Sequence, residues 1–269
     1  MKIKYILATL LLSFILFVPE SYALKLIFKR VVFEDSKRAD FITFFNNTNK
    51  ERTFRVEWRE MVMDPVQGLR RATPQEIANM QYKVSDMIRY SPRRVNVPAQ
   101  SSQQIRLMLR TPSGLPDGEY RSHIVIKQEA DQDGLDNPSG PIVEALPAMS
   151  LPVFVRKGKL SSGVEIETFT AQNLGNAVRI NLALNRTGNK SIYMNFNFVC
   201  NPQSSYPYLL NKSNQNAIYA EIDKRYRSYD FRIPPNQEAC REVGLKINEP
   251  TNNSGKNGEL YASKIIIVQ

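Results

Sequence analysis

The chain has 269 residues, with 36 Lys and Arg against 26 Asp and Glu, one His and two Cys. One His and two Cys cannot build a Cys/His zinc site, and a Ser-His-Asp or Cys-His apparatus would have to use His123 alone, on a run with strand alternation. The formal charge of +10 is spread over both halves instead of being gathered on one aromatic-studded element, which argues against a nucleic-acid partner and for a solvated basic surface.

Residues 1–23 read as a secretory signal. Lys2 and Lys4 precede an apolar-rich run from Ile6 to Val18, and Ser21-Tyr22-Ala23 places small residues at the two positions a signal peptidase reads. The run is shorter than the roughly 20 residues of a membrane span, so cleavage after Ala23 is expected, not a membrane anchor. No membrane insertion is expected elsewhere. The exported product begins at Leu24 and has 246 residues, enough for one large or two ordinary domains. In an oxidising compartment Cys200 and Cys240 are expected to pair, two reduced buried thiols being the alternative.

Short apolar-alternating runs follow one another along the chain. Leu24 to Phe33 reads as a first strand and Asp40 to Asn46 as a second, followed by a turn over 46–50. From Arg52 to Met61, Phe54, Val56 and Trp58 share one parity while Arg55, Glu57 and Arg59 share the other, a strand with one core face. Thr73-Pro74-Gln75-Glu76 has the form of a capping box with Pro at the first helical position, so a short helical turn is predicted there. Ile88 to Val97, Gln104 to Leu109 and Tyr120 to Lys127 supply further strands. Asp117, Gly118 and Tyr120 stand where a tyrosine corner would tie a strand start to backbone upstream.

A loop-like composition covers 128–141. It feeds a run from Ile142 to Arg156 in which Val143, Ala145, Pro147, Met149, Leu151, Val153 and Val155 are apolar at every second position. Pro141, Pro147 and Pro152 remove backbone donors, which strands tolerate mainly at sheet edges. The run therefore reads as a long apolar edge strand, an aggregation liability unless it is offered to another protein. Residues 156–159 look like an interdomain hinge. Beyond them, strands are predicted at Val164–Thr170, Ala177–Leu184, Ile192–Val199, Ala217–Ile222, Ser228–Ile233, Gly244–Ile247 and Glu259–Val268. The expected fold is all-β: two immunoglobulin-like sandwiches over 24–157 and 158–269 joined by a short hinge.

The layout behind the leader, the ordered series from Tyr90 to Val125 and the tyrosine corner resemble the PapD-like family of periplasmic pilus-assembly chaperones. Arg30-Val31-Val32-Phe33 matches the family's first strand, and Leu151-Pro152-Val153-Phe154-Val155-Arg156-Lys157 stands where its edge strand ends. The resemblance implies an L-shaped pair of domains and a protein that is not an enzyme and needs no cofactor. It implies a periplasmic location, pilus subunits and an outer-membrane usher as partners, and capture by donation of the edge strand to a subunit that lacks one. Arg30 would hold the subunit's terminal carboxylate, for which a guanidinium suits better than an ammonium. Pro152 occupies the position of the family's second anchor, a Lys, and this departure is compatible with the archaic or alternative branches. Arg93, Arg94 and Arg156, along with Lys157, are the candidates for the replacement charge, surface positions being their other reading. Val143, Ala145, Pro147 and Met149 would fill the subunit groove. An unloaded protein that caps its own edge in a small oligomer is the alternative to a monomer. Rival functions are an exported structural or adhesive sandwich, such as a pilus subunit or surface lectin, and a glycosidase, for which Glu57, Glu60 and Asp64 supply no placed pair. No Gly-x-x-x-x-Gly-Lys phosphate loop is present.

Overall fold

A computed structural model describes residues 24–26, 30–130, 146–250 and 258–269. In the first half, β1 (Leu24–Leu26), β2 (Val31–Phe33), β3 (Ala39–Asn46) and β4 (Arg52–Arg59) lead into a hairpin of β5 (Met61–Asp64) and β6 (Gly68–Arg71). Two short helices follow, α1 (Pro74–Asn79) and α2 (Val84–Met87). Then come β7 (Ile88–Ser91), β8 (Arg94–Val97), β9 (Ser101–Leu109), β10 (Gly118–Gln128) and β11 (Ala148–Lys157). They form two facing sheets, β1-β3-β9-β7 and β2-β11-β10-β4-β8. The expected parity holds in β4: Phe54 and Val56 are buried and Trp58 packs on the core, edge-on to Tyr90. Phe33, Phe44, Ile105, Leu107, Ile124 and Ile126 complete the filling between the layers. Each such buried side chain contributes roughly 1.5–3 kcal/mol.

The second half repeats the architecture. β12 (Ser162–Asn173), β13 (Ala177–Gly188), β14 (Ile192–Cys200), β15 (Tyr208–Ile218), β16 (Lys224–Arg232), β17 (Glu242–Asn248) and β18 (Leu260–Ile267) form the sheets β12-β13-β16 and β15-β14-β17-β18. Its own core gathers Val178, Ile180, Leu184, Phe196, Phe198, Val243 and Ile247. Cys200 and Cys240 are bonded inside that core with Cα atoms 5.3 Å apart. The fold is two β-sandwiches, as the alternation predicts.

Local signals hold where a side chain satisfies a specific backbone group. The Tyr120 hydroxyl donates to the Pro116 carbonyl at 2.9 Å, so the tyrosine corner is present. Thr73 and Glu76 make the reciprocal capping box of α1. Four expectations are corrected. Leu24 to Phe33 is two strands, not one: β1 pairs with β3 in one sheet and β2 with β11 in the other. Ile88 to Val97 is likewise divided at Pro92, β7 pairing with β9 and β8 with β4. In both, the core-facing positions change parity across the break: Leu24 and Leu26 against Val31 and Phe33, and Ile88 and Tyr90 against Val95 and Val97. The predicted strand Ala217–Ile222 is the end of β15 plus a turn closed by the Ile222 N–H on the Tyr219 carbonyl. The body of β15 is Asn-, Lys- and Gln-rich and imitates a turn. The β5–β6 hairpin lies beyond the single strand predicted to end at Met61, with Asp64 Oδ1 accepting from the Val66 and Gln67 N–H groups at its tip.

Candidate functional site

Strand β11 pairs with β10 along its whole length, from Ala148 opposite Lys127 to Lys157 opposite Gly118. On its other side β2 covers only Val153 to Val155. Ala148 to Pro152 is therefore an open edge among the described residues. The Gln128 N–H donates to the Pro147 carbonyl at 3.0 Å. That bond sets the phase of the antiparallel ladder, in which directly opposed pairs alternate between bonded and non-bonded. Odd residues of β11 then turn their backbone groups toward β10, and Ala148, Ser150 and Pro152 turn theirs toward the open side. Pro152 costs the β10 ladder no donor, which explains a proline inside this strand. The edge thus presents the N–H groups of Ala148 and Ser150 and three carbonyls.

Side chains alternate with the same period. Leu151, Val153 and Val155 are buried in the first sandwich's own core, and Met149 packs partly against it. Ala148 and Ser150 are exposed, and Leu146 just ahead of the strand is 40% exposed. Among the expected groove-filling residues, Pro147 is half-buried, Met149 is shared with the home core, and Val143 and Ala145 lie outside the described residues. No residue from Leu146 to Leu151 carries a charge.

Arg30 immediately precedes β2, whose parallel register sets Val31 opposite Val153, so Arg30 stands at the level of Pro152 where the open edge closes. Its guanidinium lies over the Tyr193 ring of the second sandwich, 4.3 Å from the centroid. Aromatic faces hold guanidinium groups without consuming their N–H donors. No carboxylate pairs with Arg30 among the described residues. No local pattern marks Tyr193 for this role, since only the packing of the two sandwiches brings it beneath Arg30. Burial pushes the Tyr193 hydroxyl's pKa well above its usual value.

The other candidate anchors are not gathered around Arg30. Arg156 donates to Glu119 at 2.9 Å and to Glu34 at 3.3 Å, and Glu119 also accepts from the Ser191 N–H at 2.9 Å, so this pair ties the sandwiches together. Lys157 bonds the Leu115 carbonyl. Arg93 lies over Tyr90, and Arg94 donates to Glu129 from β8, three strands away from β11.

The floor of the junction is apolar and largely aromatic. Met63, Phe154 and Tyr219 are buried together, with Val32, Tyr193, Ala217 and Ile222 against them. Arg121 stacks over Tyr219 with its carbon 3.9 Å from the ring centroid, bonds Glu221, and donates to the Met61 carbonyl at 3.0 Å. It also meets His123 Nδ1 at 3.1 Å. A guanidinium can only donate, so that imidazole nitrogen is an acceptor and the ring is neutral. Burial, and next the Arg121 charge, pull His123 down to about 3. Its position favours a structural role over a catalytic one. From the hairpin, the Met63 N–H donates to Glu221 at 3.0 Å, the Asp64 carbonyl accepts from Arg225 at 2.7 Å, and the Pro65 carbonyl accepts from the Tyr226 N–H at 2.9 Å. Among the described residues no group of three or more His, Cys, Asp or Glu could hold a metal ion.

No family model and no curated protein matches the sequence. Solved structures do match over nearly the whole chain. The periplasmic chaperone SfaE is 11% identical with a TM-score of 0.46, covering 88% of this chain and 97% of its own. The E. coli chaperone DraB is 13% identical with a TM-score of 0.44, covering 91% and 97%. The CsuC–CsuE chaperone–tip adhesion subunit pre-assembly complex from the archaic chaperone-usher Csu pili of Acinetobacter baumannii contains a similar chain, 11% identical with a TM-score of 0.44, covering 91% and 97%.

Proposed function

We propose that the protein is a periplasmic chaperone of pilus assembly. It captures an immunoglobulin-like subunit that lacks a strand, caps it, and hands it to an outer-membrane usher. The observation that carries this reading is the uncharged open edge of β11, ending at an arginine whose donors are unclaimed by any carboxylate among the described residues. A subunit missing a strand exposes core side chains and unpaired backbone, both costly in water. Pairing with Ala148 and Ser150 satisfies that backbone. Val143, Ala145 and Pro147, which precede the part of the strand buried in its home core, supply the side chains that enter the groove, with Met149 contributing its exposed part. A strand laid on this edge ends beside Arg30, which takes its terminal carboxylate in two charge-assisted bonds. Arg93 and Arg94 lie too far from Arg30 to share that carboxylate, and Arg156 serves by holding the junction.

The test is co-expression with pilin-like neighbours, followed by pull-down and size exclusion. Replacing Ala148 and Ser150 by Pro removes both outward N–H groups without touching the β10 ladder, as native Pro152 illustrates. Capture is expected to fall at least 100-fold with the melting temperature within a few degrees of the parent. Arg30→Ala is expected to cost roughly 10–100-fold, the equivalent of losing a charged hydrogen bond of about 1.5–3 kcal/mol. Undiminished capture by the proline variant would overturn the reading.

A further inference from the structure

A second charged feature lies on the outer face of the same sheet. The strand registers set Arg94, Arg55, Lys127 and Ala148 in one row across β8, β4, β10 and β11. Like charges directly opposite on neighbouring strands repel, yet three cations stand side by side. Glu129, one residue beyond β10, answers two of them. The Arg55 Nε–H donates to its Oε1 at 2.5 Å and the Arg94 Nε–H to its Oε2 at 2.7 Å. Lys127 is drawn aside to Glu57 at 2.9 Å, which also accepts from Arg59. The row opens into a concavity of about 530 Å³ lined by Arg55, Arg94, Lys127, Glu129, Leu146 and Ala148. It therefore reaches from the arginines to the beginning of the open edge of β11.

We propose that this concavity is a second carboxylate-binding subsite, occupied in the unloaded protein by the chain's own Glu129, which yields its place to a carboxylate of the captured partner. The proposal rests on the capture reading above. Glu129 displays the ligand chemistry directly: one carboxylate bridged by two ε N–H groups. The η nitrogens of both arginines bond nothing among the described residues, so the pair keeps donors in reserve. Arg55 and Arg94 are 50% and 62% exposed, open to an incoming group, whereas Glu129 is 19% exposed. Ion pairs this exposed contribute little to folding, so exchanging one carboxylate for another leaves the sandwich intact. With Lys127 paired to Glu57, Arg55 and Arg94 against the single Glu129 leave the concavity net positive, which draws an acidic group from a body resting beside the edge. The partner this surface fits is a β-sandwich subunit with an acidic side chain over the outer face of β10 and β4, its chain-end carboxylate being held by Arg30.

The exchange is read from the ε N–H resonances of Arg55 and Arg94 in nitrogen-15 spectra of the full exported chain. Acetate is the first probe. Glu129→Gln, with Glu129→Ala as a second variant, is expected to shift both resonances at about five-fold lower acetate than the parent requires. An identical acetate response in parent and both variants would overturn the proposal. Three alternating Val/Thr peptides follow: one with a free terminal carboxylate, one amidated but bearing a Glu, and one amidated without any carboxylate. Glu129→Gln should raise the affinity of the amidated Glu peptide several-fold and leave the third unchanged; a gain confined to the peptide with a free terminal carboxylate would overturn the assignment to an acidic side chain. An equal gain for all three would overturn the exchange. If no peptide perturbs the amides of Ala148 to Leu151 while the acetate result stands, the capture reading fails and the carboxylate subsite survives.

Discussion

From Leu146 to Leu151 the first sandwich offers an uncharged strand edge, while in the second sandwich the outer strands β15 and β16 carry Lys212, Lys224, Arg227, Asp230 and Arg232. Charged edge residues are the ordinary means by which a sheet avoids pairing with strangers. The same chain applies that device in one domain and omits it at one place in the other. The sandwiches also differ in how they are tied. The second has a buried disulfide between Cys200 and Cys240, and the first has the Tyr120 corner and polar clasps onto its neighbour. Features that stabilise and the edge proposed to recognise a partner are thus separable along the sequence.

Three substitutions break or sharpen this contrast. Replacing both cysteines by Ser opens a loop of 40 residues and is expected to cost roughly 4 kcal/mol in the chain-entropy account, read from denaturant unfolding, with capture by the first sandwich unchanged at low temperature. His123 gives the next largest effect. Its folded pKa of about 3 lies below the ordinary 6.5, so the unfolded chain binds a proton that the folded one refuses. Its stabilising influence is fully present above 6.5 and is lost as pH falls toward 3. Between pH 6.5 and 4.5, before most carboxylates titrate, stability should decline at up to about 1.4 kcal/mol per pH unit. His123→Phe should flatten that slope, and an unchanged slope would show that another group carries it. The third transplants the guard itself: Ser150→Lys gives β11 the charge that β16 carries. It should lower capture by about 100-fold in a pull-down titration, with stability altered by less than about 0.5 kcal/mol, since Ser150 is exposed.

Much of the fold is legible in the sequence because strand alternation is a local property. Phe54, Val56 and Trp58 announce their face, and Tyr120 announces its corner. What is not legible depends on partners far along the chain. The breaks in Leu24–Phe33 and Ile88–Val97 shift the core-facing parity by one residue, but which sheet each half joins is decided by partners far along the chain. β15 escapes because an edge strand facing water on one side has little apolar signature. At the site, Arg30 could be singled out from its neighbours Val31 to Phe33, but its seat on Tyr193 arises from packing between sandwiches. Arg94 could be marked as basic, yet its row with Arg55 and Lys127 exists only through the registers of β8, β4 and β10. Met149 belongs to the apolar alternation as expected, and the structure adds that its own core shares it.

The β5–β6 hairpin sits by sequence in the first sandwich and by contact on the second. Gly68 has φ of +97° and its missing Cβ leaves room for the Arg225 guanidinium, which a side chain there would meet at 2.7 Å. Arg225 is buried beneath the hairpin and bonded to the Asp64 carbonyl. A cut at the hinge would therefore not yield two ready modules. The first piece would carry hairpin carbonyls stripped of their donors, and the second a bare arginine over a vacated seat. Chimeras that swap the second sandwich between relatives must move residues 61–71 with it, so the unit of exchange crosses the apparent domain boundary.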